Sequence, residues 1–260
     1  MSNLYNPLIE SPSEEICLTR APLIRVIAQV RFPKIISIEQ KGFLAPFQEA
    51  IRATYPILRE EQLSAIMMKG GIGTLPTQTI WRFSNVEESW RISLTSEFIA
   101  IESTAYKSRT DFLERFKNIL TALEDHVDPT RIDRFGIRYI NRIIGDSVNR
   151  IPNLVNPSIQ GILGSPVEMG AHFTLTESLF KLSNGSLFTR WGKLSPLTTV
   201  DPGIIEPLNE VSWILDFDMF NDQPAPFVIK NIMENASSFT ERIYAFFRWA
   251  VTSQYLKTYE

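Results

Sequence analysis

One cysteine and two histidines in 260 residues leave little material for metal or redox chemistry. Cys17 has no second cysteine with which to close an intramolecular disulfide, so nothing calls for an oxidising compartment. With only His126 and His172 beside it, a conventional Cys/His zinc site has too few ligands. Cys17 also lies in a polar segment, a poor setting for a Cys–His nucleophile. No metal and no cofactor is expected. No run of 18 or more apolar residues is present, so no spanning helix and no membrane partner is expected. The first residues, MSNLYNPLIESPSEEICLTR, lack the basic and apolar regions of a signal peptide, which makes a cytoplasmic location the expectation. Charge of one sign is scarce too. A net charge of −3 gives no global basic field to recruit nucleic acid, although a local basic face remains open. Gly70, Gly71 and Gly73 are not followed by the Lys–Ser/Thr of a phosphate-binding loop and read as a connector.

What is present is an echo. Leu23–Phe32, LIRVIAQVRF, and Phe135–Ile144, FGIRYINRII, lie about 110 residues apart. Both alternate side-chain type with a period of two, as a strand with unlike faces does. Both carry arginines on one face. Behind each comes a similar order of elements. In the first half, a helix is expected over Ala45–Thr54 with Pro46 in its first turn. A short strand over Gln62–Met68 and a loop over Lys69–Thr77 follow. A meander then runs through Thr79–Ser84, Ser89–Thr95 and Phe98–Thr104, and a helix covers Ser108–Val127. In the second half, an irregular stretch spans Asp146–Gly170, and strands follow at Ala171–Leu182, Ser186–Leu194 and Val211–Phe220. Asn184–Gly185 suits a type I′ turn. A helix over Pro226–Thr252 closes the chain, with a break expected near Ser237–Ser238.

The predicted class is α+β: two tandem halves, each strand, helix, antiparallel meander, helix. The domains are a polar arm (1–20), a first half (21–130) and a second half (131–260) with the long C-terminal helix. Joined edge to edge, the halves would make one continuous sheet and hide two open edges.

The residues that carry the echo also resemble something known. Arg134–Phe135–Gly136–Ile137–Arg138–Tyr139–Ile140–Asn141–Arg142–Ile143, with Pro22–Leu23, Val26 and Arg31–Phe32 before it and Trp213–Ile214–Leu215–Asp216–Phe217–Asp218 after it, is similar to a sporadically distributed family of prokaryotic proteins of about this length. The similarity runs over nearly the whole chain and is strongest in the Arg–Tyr–Ile–Asn–Arg strand. The family has no established activity, so the resemblance implies no catalytic residue. Many members of that family carry a histidine in the C-terminal helix, where this chain has Ile232–Met233–Glu234–Asn235.

Alternation puts Arg25 and Arg31 on one face of the first strand, and Arg138 and Arg142 on one face of the second. Arg82 and Arg91 can join from the meander. Guanidinium forks match phosphate and carboxylate. These four arginines, Arg25, Arg31, Arg138 and Arg142, are therefore the candidate anion-binding set for a ligand or protein partner. Their candidate charge partners within the chain are Asp216, Asp218 and Glu102, since a sheet face left in water can carry arginines that pair across strands without further purpose. Asp216 and Asp218 share a strand face, but no Glu/His cluster completes a metal or acid–base set around them. The leading reading is a non-enzymatic binding or interaction protein with a basic sheet face. The rival is an enzyme on a phosphorylated or nucleic-acid substrate, with Arg138, Arg142 and Asp216 or Asp218 in its site. A third, an interaction subunit of a bacterial defence system, follows only from the sporadic distribution of the family.

Overall fold

The computed structural model describes residues 5–10, 16, 18–63, 66–68, 72–74, 78–163 and 165–260. In chain order the first elements are β1 (Leu23–Arg31), α1 (Lys41–Ile51), β2 (Ile57–Leu63), β3 (Ile66–Met68), β4 (Ile72–Thr74), β5 (Gln78–Ser84), β6 (Trp90–Leu94), β7 (Phe98–Ser103) and α2 (Arg109–His126). Then come β8 (Arg131–Ile132), β9 (Arg134–Ile143), the short α3 (Ile151–Leu154), β10 (Thr174–Leu182), β11 (Gly185–Leu194), β12 (Ser212–Asn221), β13 (Ala225–Pro226), α4 (Ile229–Ala250) and α5 (Ser253–Tyr259). Helices with antiparallel ladders make the class α+β. Cys17, Gly70 and Gly71 lie outside the described residues, as does much of the N-terminal arm. Of the segment expected as a loop, residues 72–74 pair with 66–68 as β4 and β3.

The chain forms two compact units. The meander unit comprises residues 25–137 and 221–237; the hairpin unit comprises residues 1–24, 138–220 and 238–260.

In the meander unit the strand order is β1-β7-β6-β5-β2, all antiparallel. The alternation seen in the sequence fixes which face is dry. Val26, Ala28 and Val30 of β1, Phe83 of β5, Ile92 of β6 and Ile101 of β7 are buried. Against them lie Leu44, Phe47 and Ile51 of α1 and Phe112, Phe116, Ile119, Leu120 and Leu123 of α2. Phe47 meets Phe83 edge-on with ring centroids 5.6 Å apart, Trp90 lies 5.8 Å from Phe112, and Phe116 stacks on Phe135 at 5.8 Å. Ser108 caps α2 by accepting the Asp111 N–H at 3.1 Å. At the other end Asp128 takes a left-handed φ of 51° and returns its N–H to Leu123 O, a stop that Pro129 reinforces. Pro46 lies in the sixth position of α1 rather than in its first turn, because the helix begins at Lys41. The proline removes one internal donor there, and Gly42, one turn earlier, has open space where a side chain would project.

In the hairpin unit the order is β10-β11-β12-β9. Phe217 of β12 meets Phe246 of α4 at 5.1 Å, and Phe180 of β10 meets the same ring at 5.6 Å. The β10–β11 connection is Ser183–Asn184, one residue earlier than the sequence reading places it, and neither residue has positive φ, so the turn is not type I′. Gly185 opens β11 instead. Its φ of 152° is a glycine conformation, and a Cβ there would come within 2.4 Å of Phe220 O. Helix α4 passes through Ser237–Ser238 unbroken, with Ser238 Oγ taken as acceptor by Asn184 Nδ2 at 2.8 Å. The helix ends at Ala250, and Thr252 caps α5 by accepting the Tyr255 N–H. The described part of the N-terminal arm runs along these helices. Arg242 Nη1 donates to Pro7 O at 2.7 Å and Glu10 O at 2.8 Å, and Arg20 N–H donates to Tyr259 O.

No helix among the described residues is long and apolar enough to cross a membrane. Nor do three or more His, Cys, Asp or Glu side chains among them group as ligands for a metal ion.

Candidate functional site

The face of the meander sheet opposite α1 and α2 carries its arginines. Ladder register determines how they meet. Ser84 stands opposite Arg91, Arg91 opposite Glu102, and Arg59 directly opposite Arg82. Like charges facing across a ladder repel, and each of these two arginines takes a separate carboxylate. Arg59 grips Glu88 with both ends of its fork, at 2.5 and 2.7 Å, and Arg82 donates to Glu61 at 2.6 Å. Hydrogen bonding between Arg59 and Glu88 raises the pKa of the first and lowers that of the second.

The other two arginines have one carboxylate between them. Glu102 lies 3.5 Å from Arg25 Nη1 and also pairs with Arg91 Nη2. Arg91 Nε is buried and makes no hydrogen bond. Around these groups is a pocket of about 90 Å³ whose walls are Arg25, Arg59, Arg82, Arg91, Glu61, Glu88, Glu102, Ser84, Ser89 and Thr104. Four arginines against three glutamates leave one positive charge in excess, and the excess falls at Arg25 and Arg91, which share Glu102.

Of the sequence candidates, Arg25 and Glu102 line this pocket and Arg31 does not. Arg31 is exposed at the end of β1, with Nε donating to Gln29 Oε1 at 3.3 Å and the guanidinium 5.8 Å from the Phe98 ring centroid.

Arg138 and Arg142 belong to the hairpin unit. There Arg138 forks onto Asp216, Nε to Oδ1 at 2.7 Å and Nη2 to Oδ2 at 2.8 Å, and reaches Asp201 with Nη1 at 2.8 Å. Arg190, directly across the ladder from Asp216, donates to the same carboxylate at 2.9 Å. Asp216 is only 2 % exposed. Burial by itself would lower the Arg138 pKa. The hydrogen bonds and charge of Asp216, then of Asp201, outweigh it and hold the guanidinium above its ordinary value. Segment 195–211 folds over this face: Asp201, Val200 O and Glu206 O all accept from its arginines.

Arg142, 4 % exposed, makes no ion pair with a carboxylate among the described residues. Its Nε donates to Ser212 Oγ at 3.0 Å, its Nη1 to Glu206 O, and its Nη2 makes no hydrogen bond. Burial lowers its pKa, with Glu210 opposing that shift. Asp218, the other candidate charge partner, follows on the same strand face as Asp216.

Sequence reasoning singled out neither Arg59 nor Arg190 nor Asp201 for the site. Arg59 sits on β2, whose run ILREEQL is too charged to read as a strand. Arg190 was visible on an expected strand, but its partner became evident only with the β11–β12 register. Asp201 comes from a connection, where no period marks it. No family model and no curated protein matches the chain.

Proposed function

We propose that the protein is a binding protein that holds an anionic group of a ligand or partner in the arginine pocket of the meander unit. The observation that carries this reading is the shared carboxylate: Arg25 and Arg91 both depend on Glu102, so the pocket has one guanidinium beyond its carboxylates. An oxyanion placed there gains charge-assisted hydrogen bonds from groups already oriented by Glu61, Glu88 and Glu102. Ser84, Ser89 and Thr104 add polar contacts at the walls. Room for a single small group favours a terminal phosphate or carboxylate over the face of a duplex. The single cysteine and the absence of long apolar runs support a cytoplasmic setting for this activity.

The reading is tested by co-purification. Wild type and an Arg25→Gln/Arg91→Gln variant are isolated under identical conditions, and bound small molecules and proteins are identified by mass spectrometry. The expected result is an anionic species retained by wild type and lost from the variant, with both folded by circular dichroism. Equal recovery from the two would overturn the proposal.

A further inference from the structure

Strand β10 is the end of its ladder. Among the described residues only β11 pairs with it, so one edge of a nine-residue strand is open. Natural sheets blunt such edges with short strands, proline, bulges or charged side chains. Here the strand is long, has no proline, and carries Glu177 and Lys181 on either side of Leu179. Leu179 is 52 % exposed and Glu177 is 51 % exposed.

The backbone sets which residues a partner strand can use. The two-residue loop Ser183–Asn184 makes Leu182 and Gly185 the closing hydrogen-bonded pair of the hairpin. Even-numbered residues of β10 therefore turn N–H and C=O toward β11. Odd-numbered residues, Leu175, Glu177, Leu179 and Lys181, turn theirs toward the open edge.

We propose that this edge is occupied by the same strand of a second copy, paired antiparallel about a two-fold axis at Leu179. In that register odd residues face odd residues, so the outward backbone groups of Glu177, Leu179 and Lys181 all find partners. Leu179 meets Leu179, and Glu177 meets Lys181 twice. The registers on either side, with the axis at Ser178 or Phe180, set Leu179 against Glu177 or Lys181 and lose both the apolar pair and the charge pairs; the next one, centred on Glu177, sets that carboxylate against itself. A two-fold axis requires such self-complementarity, since each residue contacts its counterpart on the partner surface. The opposite charges flanking the apolar centre select this register instead of repelling every strand. Glu177 also faces Arg190 at 4.0 Å and Lys181 Nζ donates to Ser186 Oγ, so both side chains already lie along the hairpin surface near the edge.

Sedimentation velocity of the full chain tests this. Wild type is expected to run as a dimer at micromolar concentrations. Lys181→Glu, which sets carboxylates against each other twice, should raise the dimer Kd about tenfold or more, equivalent to about 1.4 kcal/mol. The double reversal Glu177→Lys/Lys181→Glu should restore association. Leu179→Pro removes only an outward-facing N–H and should yield a folded monomer. A monomeric wild type would overturn the proposal. So would a dimer indifferent to Lys181→Glu, or a double reversal that fails to restore it.

Discussion

Asp216 accepts hydrogen bonds from two guanidinium groups while almost wholly removed from water. Neutralising it leaves Arg138 and Arg190 short of a buried counter-charge. Asp216→Asn should therefore destabilise by ~3–5 kcal/mol, and Asp201→Asn, at a more exposed carboxylate, by distinctly less; urea denaturation of the two variants checks the order. Arg142 is the contrasting case. It has the same strand face and residue type as Arg138, but its acceptors are a hydroxyl and a carbonyl. Replacing it with methionine removes a buried charge that makes no ion pair among the described residues, and the expected loss is below about 2 kcal/mol. A loss as large as that of Asp216→Asn would contradict the described contacts. Tyr255 gives a third residue-scale test. Its hydroxyl is buried without a hydrogen-bond partner, and burial raises its pKa well above the ordinary value, with Tyr259 adding to the shift. The folded state thus retains a proton that the unfolded chain gives up above about pH 10. Its contribution to stability is fully present below that pH and is lost as pH rises further. Tyr255→Phe should flatten the alkaline limb of the melting-temperature profile and cost nothing at neutral pH.

Among the elements, α2 is the best specified. A serine cap, acidic first-turn Asp111 and an apolar stripe agree with one another, and Phe116 is fully buried between α2 and the sheet of its unit. Phe116→Ala should cost ~3–5 kcal/mol in chemical denaturation; a loss under about 1 kcal/mol would place the stripe outside a packed core. This helix, the three strands of the meander and the arginine-bearing strands were legible because period and propensity point the same way in each. Other elements were not. β2 is an edge strand whose charges serve its exposed side and the ion pair of Glu61 with Arg82 of β5, so no apolar alternation marks it. The start of α1 was obscured by Pro46, which usually marks a first turn. Ser237–Ser238 weakens helix propensity locally, but Phe239, Ile243 and Phe246 bury enough apolar surface to carry α4 through. The Ser183–Asn184 turn was misplaced by one residue because Gly185 is needed for the close approach of Phe220 rather than for the turn.

At the scale of the whole molecule, the sequence indicated that arginines matter but not which of them remain short of partners. Strand alternation orders side chains along one strand; only ladder register and long connections decide which carboxylate meets which guanidinium. Arg138 acquires Asp201 from the segment 195–211, whereas Arg25 and Arg91 are left to divide Glu102. The meander pocket therefore combines an excess guanidinium with room for a ligand beside it. Isothermal titration of the full chain with inorganic phosphate at low ionic strength tests this most directly, with Arg91→Gln and the exposed Arg131→Gln as comparisons. One site per chain is expected in wild type, retained in Arg131→Gln and lost in Arg91→Gln. Saturable binding of equal affinity in all three proteins, or no binding to wild type, would contradict it.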